Sequence, residues 1–225
     1  MRIALVNPAN QSIAYYDSGH SCVHLGLGYI ASALENNGYK VDIYECILHN
    51  IDSKKLIDIL IKGDYDAIGF TTYYFNIMQV YRIALKVKKV KNVFVFVGGI
   101  FSSMNYNDIL QKKYIDCCVL GEGEETVVEL MHCVNERGDI HTVDGVAFCE
   151  ENQIVITNKR NGIENLDKIC FPKRVYFFKN VMTSMIASRG CNGNCSFCGI
   201  TDYYSKYTTR RVRVRTPKNV VDEME

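Results

Sequence analysis

A doubly wound α/β domain that leads into the opening of a second domain is the architecture predicted by this sequence. Three observations predict it. Five short apolar runs alternate with helix-patterned segments over roughly the first 140 residues. Two of those runs lead directly into glycine, Gly98 and Gly121, and the texture of the chain changes after them.

The strand candidates are Arg2–Val6 (RIALV), Val41–Glu45 (VDIYE), Ala67–Thr71 (AIGFT), Val93–Val97 (VFVFV) and Ile115–Leu120 (IDCCVL). They are rich in Val, Ile and Phe, which suit a pleated sheet buried on both faces. Between and after them lie the helix candidates His24–Asn37, Ser53–Ile61, Ile77–Lys89, Asn107–Lys113 and Glu124–Glu136. Alternation of this kind implies βαβ units and a parallel sheet. Five strands suggest a flavodoxin-like order, 2-1-3-4-5, with a ligand outside the C-terminal strand ends. Next, Gly145–Phe148 and Ile154–Thr157 read as a hairpin closed by a polar turn. Residues 161–180, with Pro172 and mixed charge, read as a linker, and Met182–Ala187 as a further strand. The expected division is a sheet domain over 1–140, hairpin and linker over 141–180, and the front of a second domain over 181–225.

The composition narrows the function classes. Of 225 residues 48% are hydrophobic, and the formal net charge is +1. That balance gives no reason to expect nucleic acid or a membrane surface as partner. No apolar run approaches the ~18 residues of a membrane span, and no signal-peptide pattern opens the chain, so a cytoplasmic protein is expected. Its ten cysteines then read as thiols and metal ligands rather than disulfides. Cys46, Cys117, Cys118 and Cys149 fall in strand-like runs and are expected to pack as small hydrophobes.

The chemistry concentrates in Ser188-Arg189-Gly190-Cys191-Asn192-Gly193-Asn194-Cys195-Ser196-Phe197-Cys198. Three thiolates spaced C-x3-C-x2-C on a glycine-containing loop can reach three corners of one cubane. Electron-transfer clusters take four cysteines, so three leave one iron open to a substrate. Zinc sites generally want C-x2-C pairs and a fourth ligand at matched spacing. Here no Cys follows Cys198 and no His follows His141.

This segment resembles the signature of the radical S-adenosylmethionine superfamily, including the aromatic Phe197 before the last cysteine. The resemblance implies that Cys191, Cys195 and Cys198 bind a [4Fe–4S] cluster whose open iron is chelated by S-adenosylmethionine. One electron, from a reductant such as flavodoxin or ferredoxin, then cleaves the sulfonium to methionine and a 5′-deoxyadenosyl radical. It also implies that the cysteine loop follows the first strand of a partial (β/α) barrel, supplied by Met182–Ala187. Arg210–Arg215 (RRVRVR) resembles the family's run into its first barrel helix, with Thr216 as N-cap and Pro217 at its first position. A basic strand of this kind can contact phosphate. The resemblance favours the alternating arginines as a solvated strand face.

The preceding sheet resembles the cobalamin-binding domain of one large branch of that superfamily. The matching residues are Asn7-Pro8 after the first strand, Leu25-Gly26-Leu27-Gly28-Tyr29-Ile30-Ala31 at the first helix, Gly98-Gly99 after the fourth strand, and Gly121-Glu122-Gly123-Glu124 after the fifth. The expected cofactor-binding residues are Asn7, Pro8, Gly98, Gly99, Gly121, Glu122, Gly123 and Glu124 of these segments, Thr71 and Thr72 at the end of the third strand, and Phe197 of the cysteine motif. The D-x-H-x-x-G loop that supplies a cobalt ligand in methionine-synthase-type proteins is missing, as is usual in the radical branch. His20, Cys22 and His24 share one loop beside the same edge. They could form a metal site or approach the cobalt, or their grouping could be incidental.

The resemblance implies the front part of a cobalamin-dependent radical enzyme, a methyltransferase or an oxidative cyclase, ending inside the first barrel helix as a fragment, a truncated product or a partner-completed chain. Two alternatives remain: a cobalamin-binding module with a vestigial cluster motif, and a scaffold or docking sheet without cobalamin. The substrate, a small molecule or a peptide, is not legible.

Overall fold

The computed structural model describes residues 1–8, 24–174, 183–209 and 211–225. His20, Cys22, Met182 and Arg210 lie outside the described residues.

The expected alternation forms. Strands β1 (Arg2–Asn7), β2 (Lys40–Glu45), β3 (Ala67–Thr71), β4 (Phe94–Gly98) and β5 (Cys117–Val119) are parallel and ordered 2-1-3-4-5. The expected hairpin, β6 (Val146–Glu150) and β7 (Gln153–Ile156), joins the same sheet antiparallel beside β5 and extends it to seven strands. Val146 and Phe148 are buried on one face of the sheet and Ala147 on the other, so the hairpin caps an edge that would otherwise expose backbone donors and acceptors.

Helices α1 (Leu25–Asn36) and α5 (Glu124–Glu136) pack on one face, and α2 (Ser53–Lys62), α3 (Ile77–Lys88) and α4 (Ile100–Leu110) on the other. The period-2 side chains of β1 show why both faces need cover. Ile3 and Leu5 join Leu27, Leu34, Leu130 and Met131 on one side. Ala4 and Val6 join Leu56, Leu60, Val80 and Ile83 on the other.

Three expectations are corrected. First, α4 begins at Ile100 rather than Asn107. Gly99, at φ +104, turns the chain sharply, and the hydroxyls of Ser102 and Ser103 donate back to its carbonyl at 3.0 and 2.9 Å. That serine-rich first turn, and the non-helical Asn105 that kinks α4 further on, hide the helix from a periodicity reading. Second, Cys149 is exposed, because it lies beside the turn of the hairpin, one pair from its closed end, whereas Cys46, Cys117 and Cys118 are buried as expected. Third, residues 183–187 are not a strand. The strand is β8 (Ser188–Gly190), and it pairs antiparallel with β9 (Val212–Val214).

Between these two strands run the cysteine loop and α6 (Gly199–Tyr207), and α7 (Pro217–Asp222) follows β9. Thr216 caps α7 as expected, accepting the Asn219 amide at 3.3 Å. No helix among the described residues is long and apolar enough to cross a membrane.

Candidate functional site

The C-terminal ends of the five parallel strands bring Asn7, Thr71, Gly98 and Gly121 to one edge of the sheet. Thr71 and Gly98 are direct partners across β3 and β4, and Asn7 is the partner of Glu45 across β1 and β2. Above this edge lies a cavity of about 460 Å³, within the ordinary range for small-molecule sites. Its floor is formed by Thr71, Gly98, Gly99, Gly121, Glu122, Gly123 and Glu124. Its walls include Leu5, Tyr29, Ile30, Phe96 and Val127, and its roof Ile186, Ser188, Arg189, Gly190, Tyr203 and Tyr204. The strand ends and the ribbon bearing the cysteine loop therefore enclose one space.

Asn7, Pro8 and Thr72 do not line it. Pro8 is buried. The Asn7 side-chain amide donates to Glu45 at 2.9 Å, and Glu45 also accepts the His24 backbone N–H at 3.0 Å. Burial pushes the Glu45 carboxyl up, with those two donors acting against it. The Thr72 hydroxyl donates to the Gly98 carbonyl at 2.9 Å and accepts the Ser102 amide at 3.2 Å, so it shapes the Gly98-Gly99 turn.

His24 has a definite place. Its Nδ1 accepts the Leu27 amide at 3.0 Å and caps α1, and its Nε2 stands 2.5 Å from the Tyr73 hydroxyl and 3.3 Å from Thr71 Oγ1. Burial lowers its pKa to about 4, with the backbone contact acting in the opposite direction, so the ring is neutral near pH 7.

The glycines serve different ends. A Cβ on Gly98 would meet nothing nearer than Val119 at 3.9 Å, so the floor there is open backbone. On Gly121, at φ +76, it would meet the Tyr207 ring at 3.1 Å, so this glycine admits α6. Gly28 lies against the linker, where a Cβ would stand 2.8 Å from the Lys173 carbonyl.

The acidic pair of the Gly121–Glu124 loop faces arginines of the ribbon. Glu122 contacts Arg213 at 2.7 Å and Arg189 at 3.3 Å, and Glu124 contacts Arg189 at 2.5 Å. Burial works to raise the Glu122 carboxyl, but the two guanidiniums outweigh it and the net direction is down. Arg189 also lies over the Tyr29 ring at 5.2 Å. These contacts correct the expectation of a solvated basic strand at Arg213 and Arg215, while Arg211 is exposed as expected. Arg213 and Arg215 are 3% and 7% exposed, and Arg215 pairs with Glu223 and donates to the Ile186 carbonyl at 2.9 Å. Buried guanidiniums need such partners.

Cys191 follows β8 directly, and Cys198 is the N-cap residue of α6. Cys191 and Cys195 are exposed and Cys198 is half-buried. The Gly193 amide donates to Cys191 Sγ at 3.3 Å, and a Cβ on Gly193 would stand 3.3 Å from that sulfur and 3.7 Å from Cys195 Sγ. Two thiols thus share the space beside Gly193, which a side chain there would crowd. Among the described residues no three His, Cys, Asp or Glu side chains form a preformed metal-holding group. Three accessible thiols on one short loop still fit a cubane chemically. Phe197 is 91% exposed beside them and does not line the cavity.

Sequence reasoning placed the segment of Tyr29 at this edge but left out Arg189, Tyr203 and Tyr204 as cavity residues. One signal for Arg189 was available, since two acids stand in one loop and an arginine two residues before the first motif cysteine.

Comparison with known proteins places this geometry. The chain is 27% identical over its whole length to the anaerobic magnesium-protoporphyrin IX monomethyl ester cyclase of Synechocystis, covering 46% of that protein. It is 26% identical to the hopanoid C-3 methylase of Methylococcus capsulatus over 89% of the chain and 39% of the methylase. The chain thus spans less than half the length of these relatives. Its fold matches the radical S-adenosylmethionine methyltransferase TsrM of Kitasatospora setae, solved with cobalamin and a [4Fe–4S] cluster, at TM-score 0.77 and 18% identity over 99% of this chain and 45% of that one. It also matches the cobalamin-dependent S-adenosylmethionine radical enzyme OxsB, at TM-score 0.79 and 15% identity over 99% of this chain and 31% of that one. The family model of the B12 binding domain matches residues 14–131. With more than half its residues in that match, the chain belongs to the B12-binding domain family, in the company of cobalamin-dependent radical S-adenosylmethionine methyltransferases and cyclases.

Proposed function

We propose that this chain is the front part of a cobalamin-dependent radical S-adenosylmethionine enzyme of the methyltransferase or oxidative cyclase type. One observation carries the reading: the glycine-floored strand ends and the ribbon bearing Cys191, Cys195 and Cys198 enclose the same cavity. In this reading residues 1–140 form the corrinoid-binding unit and residues 181–225 open the radical domain.

Gly98 and Gly99 would let the corrin ring approach bare backbone, with Thr71 and the Gly121–Glu124 loop beside it. Cys191, Cys195 and Cys198 would hold the [4Fe–4S] cluster, with Phe197 flanking S-adenosylmethionine. When bound, the cluster supplies the electron for reductive cleavage of S-adenosylmethionine, and the corrinoid supplies a carrier for a one-carbon group. Tyr29, Ile30, Phe96 and Val127 keep water from the inner wall of the cavity. His24, neutral and held by its own helix and by Tyr73, shapes the mouth without adding charge. A small-molecule or peptide substrate and a one-electron reductant such as flavodoxin or ferredoxin would meet the chain on its cluster side.

A second reading, a corrinoid-binding module with a vestigial cluster motif, is favoured by the absence of a preformed three-thiol group among the described residues. Anaerobic reconstitution with iron and sulfide, followed by iron analysis and an assay for 5′-deoxyadenosine, separates the two. The enzyme reading expects about four irons per chain, as one cubane requires, and measurable 5′-deoxyadenosine under reduction. Corrinoid bound without stable iron supports the module, and failure to bind hydroxocobalamin overturns both.

A further inference from the structure

Arg189 and Arg213 stand directly opposite each other across β8 and β9. Like charges at opposed positions push a two-stranded ribbon apart, and this ribbon has only three residue pairs to hold it. Both guanidiniums are taken by one carboxylate of the sheet edge. Glu122 meets Arg213 at 2.7 and 2.8 Å and Arg189 at 3.3 Å. The same carboxylate accepts the Ile163 amide at 2.8 Å, and Arg213 donates to the Ile163 carbonyl at 2.7 Å, so the linker is tied in as well. Glu124 takes Arg189 from the other side. Glu122 is therefore the meeting point of the sheet edge, the linker and both strands that carry the cysteine loop.

We infer that Glu122 is a positioning residue that holds the cluster-bearing ribbon on the sheet edge, so that a corrinoid in the cavity and a cluster on the Cys191–Cys198 loop stabilise each other. The inference rests on the functional reading above. Its logic is linkage: a ligand touching both walls binds the docked arrangement better than an undocked one, and whatever favours docking favours that ligand. With Glu122 removed, Arg189 keeps Glu124 while Arg213 keeps the Ile163 carbonyl but loses its carboxylate, the ribbon loses its common anchor, and each site loads without regard to the other.

The test is the rate of iron release to a chelator from the anaerobically reconstituted chain, with and without saturating hydroxocobalamin. In the wild type the corrinoid should slow release by a factor of about 5 or more, the lower end of ordinary coupling between sites. In Glu122→Gln the ratio should fall toward one even where corrinoid still binds, and Glu122→Asp should restore part of it. A merely structural role would change both rates and leave their ratio intact. If Glu122→Gln does not fold, Arg213→Lys removes the two-pronged contact while keeping the charge, and the ratio should fall there too. Equal ratios in the wild type and in the folded variants overturn the inference, as does a wild-type ratio of one. A wild type that takes up neither cofactor overturns the functional reading and this inference together.

Discussion

His24 accepts the Leu27 amide through Nδ1 at 3.0 Å while its Nε2 lies 2.5 Å from the Tyr73 hydroxyl, so one ring starts α1 and ties it to the loop after β3. The accepting Nδ1 requires the tautomer with its proton on Nε2, which makes Nε2 the donor toward Tyr73 or Thr71. A second proton would remove the cap and place a cation at a helix N-terminus, the end of the dipole that disfavours it.

Stability should therefore fall with acid. The folded-state pKa of His24 is lowered to about 4 from an ordinary value of 6.5. Between those values the unfolded chain binds the extra proton, so the histidine's contribution is complete above about pH 6.5 and is lost as pH falls toward 4. The loss should be of order 1–3 kcal/mol at pH 4. Urea midpoints at pH 7 and pH 4.5 measure it. Asparagine also caps helices and does not titrate in this range, so His24→Asn should flatten this part of the pH dependence. An unchanged slope in that variant would remove His24 as its source.

The two glycines at the end of β4 should respond differently to substitution. Gly98→Leu adds bulk to an open floor, where the nearest atom to a new Cβ lies 3.9 Å away. It should keep its thermal midpoint within a few degrees and weaken hydroxocobalamin binding by at least about tenfold, or about 1.4 kcal/mol. Gly99→Ala forces a side chain onto φ +104 and toward the Thr72 carbonyl at 3.3 Å. It should cost about 1–3 kcal/mol of stability before any effect on ligand. Absorbance titration and thermal melts of the two variants distinguish bulk from strain.

Gly190 is the pivot between β8 and Cys191. Its φ is +109, and an added Cβ would stand 1.8 Å from the carbonyl oxygen of Arg211, the residue just before β9. Gly190→Ala should part the ribbon and reduce iron incorporation several-fold, while the seven-stranded sheet keeps its far-ultraviolet circular dichroism. Full iron loading in that variant would show that the loop assembles without the β8–β9 pairing.

Much of the sheet was legible because its signals are local. Glu124–Glu136 and Ala67–Thr71 were bounded correctly, the first by acidic residues at its start and the second by five apolar or small residues in a row. What was not legible depends on partners far along the chain. RRVRVR has the look of a solvated strand, yet Arg213 is buried because Glu122, 91 positions away, receives it. The α4 start was hidden because its first turn is stabilised by serine hydroxyls and a glycine turn rather than by an apolar stripe. The floor of the cavity could be placed from glycines at strand ends. Its roof could not, because it comes from residues 186–204.

The cysteine loop carries the last prediction. Cys191→Ala, Cys195→Ala and Cys198→Ala should each abolish stable [4Fe–4S] incorporation, because two thiolates cannot hold the cluster against loss to solvent. Cys46→Ala and Cys117→Ala should leave iron content unchanged, because both thiols are buried in the sheet domain. Burial also pushes the Cys117 thiol up, and neighbouring Cys118 and Asp116 add to the shift, so that thiol has little thiolate character with which to bind metal. Cys149→Ala gives the sharper control. Its thiol is exposed, so accessibility alone would let it compete for iron, whereas a site built by loop geometry would ignore it. Iron and sulfide analysis of all six variants after anaerobic reconstitution decides between these. Retention of a full cluster in any of the three loop variants, or its loss in a folded Cys149→Ala protein, would remove the loop as the cluster site.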